Sequence, residues 1–177
     1  MNLALFGFLT GLHLALLQFG YLFLLLIHVT STYVTYTMIV IAWMTGTLVG
    51  LRWRSLDRRA ALGLGLLSYY ATYLLVVSVP LAVYTLPCAA LGVAFSGLWA
   101  GRFFVVMLPY YGRADRLFFH ENNGFLVGVI ASFIGFTLLG RPFLLWTPLP
   151  MAVGLLVQLT GIEWGRALGA PVEVDAP

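Results

Sequence analysis

Four stretches of this sequence contain no Asp, Glu, Lys or Arg: residues 1–51, 60–101, 122–140 and 142–162, which are 51, 42, 19 and 21 residues long. A helix needs about 20 apolar residues to cross the hydrocarbon core of a bilayer. The runs therefore hold two, two, one and one crossings, six in all. A soluble chain of this length leaves too much surface outside to hide such runs. The composition agrees, with 62% hydrophobic residues, 8% charged residues and a mean hydropathy of +0.99. Transmembrane β-strands alternate polar and apolar residues, whereas these runs are apolar on every side. The expected fold is all-α: a polytopic integral membrane bundle of six transmembrane helices.

The breaks between runs give the boundaries. Helix one is expected from Leu3 to Ile27, followed by a polar turn from His28 to Thr32. Helix two runs from Tyr33 to Leu51 and ends at Arg52, Arg54, Arg58 and Arg59. Helix three spans Ala60 to Val79, Pro80 and Pro87 bracket the next turn, and helix four spans Leu86 to Leu108. A polar loop is expected from Pro109 to Asn123, then helix five from Gly124 to Gly140 and helix six from Phe143 to Ile162. The transmembrane domain thus covers 1–162, with a short tail over 163–177. The first segment lacks a basic leader and a small-residue cleavage site, and reads as an uncleaved helix.

All nine basic residues are arginines. Seven fall in the 2–3 loop, the 4–5 loop and the tail (Arg52, Arg54, Arg58, Arg59, Arg113, Arg116 and Arg166), against Arg141 alone on the other side. Positive charge stays cytoplasmic, so both termini are expected in the cytoplasm, in a multi-pass protein of a cell inner membrane. These arginines serve topology, and no nucleic-acid partner is implied. Cys88 is the single cysteine, which excludes an intramolecular disulfide and a CxxC metal site.

Glycines four apart recur at Gly46/Gly50, Gly97/Gly101 and Gly124/Gly128, and also at Gly7/Gly11. Such spacing lets helix backbones approach closely, so these are expected packing positions. Ionisable and polar groups at membrane depth are the expected solute contacts. They are Gln18, Tyr69, Tyr73 and Arg102, with His120, Glu121 and Asn122 at the mouth of helix five. Arg102 is expected to snorkel or to pair with Glu121. His13 and His28 lie 15 residues apart and offer one axial ligand near each face, so a b-haem redox subunit is an alternative. The five tryptophans are expected near helix ends as interfacial anchors. No phosphate loop, HExxH or GxSxG motif occurs, and the expected function is non-enzymatic, with no cofactor.

Two stretches, STYVTYTMIVIAWMTGTLVG from Ser31 to Gly50 and GRADRLFFHENNGFLVG from Gly112 to Gly128, together resemble the membrane domain attached to spermidine-synthase-like proteins. That domain looks like half of a major-facilitator-type transporter, and the resemblance covers roughly residues 15–140. Gln18 and Phe23 stand near positions where the family tends to carry Glu and Arg, and the soluble synthase domain is missing. The resemblance implies a transporter-like subunit that binds or passes a small solute, or anchors a partner protein. A polyamine or small-cation transporter is a second implication, and a homodimer or a separate partner subunit fits either.

Overall fold

The computed structural model describes residues 2–29 and 33–167, with side chains described as far as Gly161. Among the described residues every regular element is a helix: α1 Leu3–His28, α2 Tyr33–Arg52, α3 Arg58–Ser78, α4 Thr85–Tyr111, α5 Ala114–Leu139, α6 Arg141–Trp146 and α7 Pro148–Ala167. Six spans are long and apolar enough to cross a membrane, the sixth running from Arg141 to Gly161 through α6 and α7. The described part of the tail continues α7 to Ala167, and the expected tail beyond it lies outside the described residues, as do Thr30, Ser31 and Thr32 of the first turn.

Two breaks differ from expectation. The polar stretch after helix four is mostly helical: α4 continues through Pro109 to Tyr111, and α5 begins at Ala114 instead of Gly124. Apolar runs mark where a helix is lipid-soluble, not where it ends, and hydrated helix turns carry polar residues at no cost. Pro109 sits in the last turn, where it removes the N–H that would donate to the Val105 carbonyl without ending the helix. The reversal needs only Gly112, at φ 68°, a left-handed conformation that glycine adopts without strain. The sixth candidate span is split at Thr147, where Pro148 begins α7; proline has no N–H with which to continue the α6 ladder.

The order of burial places the helices. In the most apolar window of α1, 67% of residues are buried, and in α4 61%, against 17% in α5. Helices α1 and α4 form the centre, and the others surround them. The tightest packing pairs α1 with α5 and α2 with α4. In both pairs glycines remove the side chains that would hold the backbones apart. A Cβ on Gly124 would overlap the Phe8 carbonyl, one on Gly11 the Glu121 carbonyl, and one on Gly128 would fall 2.7 Å from Ala15 Cβ. On the other pair, a Cβ on Gly46 would overlap the Ala94 carbonyl, one on Gly50 the Leu98 carbonyl, one on Gly97 would fall 2.5 Å from the Trp43 carbonyl, and one on Gly101 would overlap that of Thr47.

The contacts advance in the same direction along both helices of a pair, so α1 and α5 are parallel, as are α2 and α4. Carrying α1–α3 onto α4–α7 in order exchanges the two pairs. The two glycine-lined pairs thus correspond under this exchange, with α1 and α4 at the centre of the bundle, while α3 packs much more closely on α4 than α7 does on α1.

Candidate functional site

The α1–α4 seam carries the buried polar groups, and it divides into a satisfied half and an unsatisfied half. Toward the α1 C-terminus, the Tyr21 hydroxyl lies 2.7 Å from Ser96 Oγ and 3.1 Å from the Gly92 carbonyl. Ser96 Oγ in turn donates to the Gly65 carbonyl of α3 at 2.8 Å. Tyr69 donates to the Leu144 carbonyl at 2.9 Å, and Tyr70 to that of Leu145 at 2.8 Å. These hydroxyls tie α1, α3, α4 and α6 together, and each has found an acceptor. Tyr73 is buried one turn beyond Tyr69 on α3.

Toward the α1 N-terminus the pattern changes. Thr10 and His13 are fully enclosed, and neither Thr10 Oγ1 nor either ring nitrogen of His13 has a hydrogen-bond partner. Trp99 Nε1 on α4 is likewise unpartnered. The register places these groups together. Phe6 meets Phe103 at a ring-centroid distance of 6.1 Å. One turn further toward the centre, along antiparallel helices, lie Thr10 on α1 and Trp99 on α4. Glu121 reaches the same level from α5, its backbone against Gly11, the residue after Thr10, while His13 stands about 200° further round α1. Glu121 is 6% exposed, and among the described residues its carboxylate forms no hydrogen bond or ion pair. Leaving a buried polar group unpaired costs about 1–3 kcal/mol, more for a charged one. Three groups without a partner, on Thr10, His13 and Trp99, and the buried Glu121 carboxylate lie at this level of the bundle and form the candidate site.

The remaining candidates separate around this layer. Arg102 does not pair with Glu121. Its Nε donates to the Leu56 carbonyl at 2.9 Å and its Nη2 to the Arg54 carbonyl at 3.1 Å, which bolts the α2–α3 loop to α4. The expected cluster of His120, Glu121 and Asn122 does not form, because residues 114–123 are helical and successive side chains turn by about 100°. Glu121 faces inward and Asn122 outward, while His120 lies beside Tyr111 with ring centroids 6.0 Å apart. Tyr111 itself donates to the Leu3 carbonyl.

Gln18 is half-buried and lines a separate cavity of about 60 Å³ between α1 and α2, with Phe19, Leu22, Tyr36, Ile39 and Val40. His28 lies far from His13 along α1, and its Nδ1 is 2.9 Å from the Leu24 carbonyl. No second histidine stands beside either one among the described residues, and they hold no group of three His, Cys, Asp or Glu side chains placed to bind a metal. Of the tryptophans, Trp53 and Trp146 are exposed as anchors should be, but Trp43 and Trp99 are buried between helices; Trp164 lies beyond the described side chains.

Sequence reasoning missed Thr10, Tyr21, Ser96 and Trp99. A signal existed in Thr10, His13 and Tyr21, which fall on one side of α1, but one threonine and one tyrosine in an apolar helix look like tolerated polarity. Only the register between α1 and α4 reveals which hydroxyls are paired. No family model, no curated protein and no solved structure matches the chain.

Proposed function

We propose that this chain is a non-enzymatic, transporter-like membrane subunit whose solute site is the layer of Thr10, His13, Trp99 and Glu121. The observation that carries the reading is that Thr10, His13 and Trp99 are buried with side-chain polar atoms that have no hydrogen-bond partner among the described residues, beside a buried carboxylate. A bound solute would supply what the fold withholds. Groups of this kind at membrane depth mark solute and ion paths. A small cation or protonated amine suits the layer best. Glu121 offers the counter-charge, Thr10 and His13 offer acceptors, and the Trp99 ring offers a cation–π face.

The reading keeps the resemblance to the membrane domain of spermidine-synthase-like proteins, with Glu121 in place of the charges that Gln18 and Phe23 lack. It places both termini in the cytoplasm of a cell inner membrane, on the distribution of arginines. Uptake of labelled putrescine into proteoliposomes tests it: the unaltered chain accumulates the amine, and Glu121→Gln reduces the rate at least tenfold. Equal uptake by both, or none above empty vesicles by the unaltered chain, rejects the reading.

The anchoring of a partner protein is a second reading, supported by α5. Beyond its tight contact with α1, this helix leaves Leu126, Ile130 and Leu138 exposed, a face on which a partner helix could take the place of lipid. Co-purification of one stoichiometric companion in mild detergent would favour it.

A further inference from the structure

The arginine-bearing end of α2 carries two hollows, which come nearest where Arg52 of one stands three residues, one helix neighbour, from Val49 of the other. One, of about 690 Å³, is lined by Leu48, Leu51, Arg52 and Arg54. The other, of about 130 Å³, is a groove between α2 and α4 whose walls include Thr45, Val49, Trp53, Leu91, Phe95 and Leu98. Its floor is where Gly46 meets the Ala94 backbone, and it presents almost no polar atom. The first hollow is open and mixes guanidinium with leucine. Together they offer charge at one end and oil along the other.

The geometry points to a binding site for an anionic phospholipid, with its phosphate on Arg52 and Arg54 and one acyl chain in the α2–α4 groove. Guanidinium groups match phosphate oxygens as paired donors, which an ammonium does not. Basic pockets at helix ends on one side of a membrane hold anionic headgroups for this reason. The carboxylate of the α2–α3 loop does not neutralise them. Asp57 is turned away to accept from the backbone N–H groups of Arg59 and Ala60, at 2.8 and 3.0 Å.

The spacing suits one amphiphile. From Arg52 back to Thr45 the helix covers about 10 Å at 1.5 Å per residue, so the groove runs from the level of the headgroup along the first part of an acyl chain. Trp53 stands at that junction, half-exposed, with Nε1 donating to Ser55 Oγ at 3.1 Å, in the manner of aromatic residues at headgroup depth. The site lies on the outer surface of the α2–α4 pair, away from the Glu121 layer, and stands or falls independently of solute transport.

The test uses the delipidated chain in mild detergent, with phosphatidylglycerol and phosphatidylcholine added separately. Retained lipid is read by native mass spectrometry and stabilisation by thermal unfolding. Phosphatidylglycerol is expected to be retained and to raise the melting temperature, and phosphatidylcholine to do neither. The R52Q/R54Q variant is expected to bind phosphatidylglycerol at least about tenfold more weakly. V49W, which fills the groove and keeps both arginines, is expected to weaken it too. R141Q removes an arginine from the opposite end and is expected to bind normally. Should R52Q/R54Q fail to fold, R52K/R54K decides: it keeps the charge, loses the paired donors, and is expected to bind more weakly. Equal retention of both lipids, an equal loss in R141Q, or displacement of the lipid by millimolar inorganic phosphate would overturn the proposal.

Discussion

Gly124 to alanine is a one-methyl change with a large expected effect. The Cβ of residue 124 would fall on the Phe8 carbonyl of α1, with Phe8 C and Cα (2.6 and 2.9 Å away) on either side of that contact, all of it backbone. Backbone cannot rotate aside as a side chain can, so α1 and α5 must separate. Inserting a methylene-sized group into a packed interface costs about 1–3 kcal/mol. Separation would also loosen the neighbouring contacts at Gly11 and Gly128, which belong to the same crossing. For a chain of this size each kcal/mol corresponds to roughly 2–4 °C, so G124A is expected to melt about 2–12 °C below the unaltered chain.

The control lies within the same molecule. Gly63 on α3 and Gly154 on α7 have nothing within 4 Å of an added Cβ. Alanine at either should gain up to about 1 kcal/mol, because glycine is the poorer helix former. Thermal unfolding of the three variants in one detergent reads the contrast. If G63A and G154A fall as far as G124A, or G124A melts at or above the unaltered chain, the close-crossing account is wrong.

Three further outcomes are expected. Arg102→Met removes two charge-assisted hydrogen bonds to the Leu56 and Arg54 carbonyls; it should cost about 2–4 kcal/mol and speed proteolysis or hydrogen exchange specifically over residues 53–57. Ser96→Ala leaves the Gly65 carbonyl and the Tyr21 hydroxyl each short of a partner; a loss of about 1–2 kcal/mol is expected on unfolding, with Tyr21→Phe restoring part of it in the double variant. Asp57 caps α3, and the Ala60 and Arg59 backbone N–H groups, with help from the nearby arginines, hold its carboxyl below the usual carboxylate range. Because that value is depressed on folding, its stabilisation is present above the unfolded value of about 3.9 and is lost as pH falls through the folded one. Asp57→Ala should therefore cost about 1 kcal/mol near neutral pH and nothing in strong acid, as followed by melting at each pH.

The six long apolar helices were legible in the charge-free runs, because a helix apolar enough to cross lipid carries its charges at its ends. The glycine pairs were legible as well: every one of Gly46, Gly50, Gly97, Gly101, Gly124 and Gly128 meets backbone or a neighbouring small side chain. The same logic misplaced the start of α5, since hydropathy reports depth in the membrane and says nothing about whether a hydrated turn is helical. That error put Glu121 in a loop with Asn122, when a helix turns one inward and the other out. Arg102 was expected to snorkel or to pair with Glu121; it bonds two loop carbonyls instead of the carboxylate, and no sequence pattern advertises a backbone acceptor. The unpartnered layer was hidden for a related reason. Whether Thr10, His13 or Trp99 has a partner depends on which helices meet, and that is set by the crossings of α1 with α5 and α4.

Accessibility labelling of single cysteines in sealed membrane vesicles tests the six-crossing bundle most directly, with Cys88 first replaced by serine. Reporter cysteines stand at Ser55 and Arg113 on one set of turns and at Leu81 and Arg141 on the other. The account predicts that an impermeant thiol reagent reaches 55 and 113 from the same side and 81 and 141 only from the opposite one. Labelling of 55 and 113 from different sides, or of 55 and 81 from the same side, would contradict it.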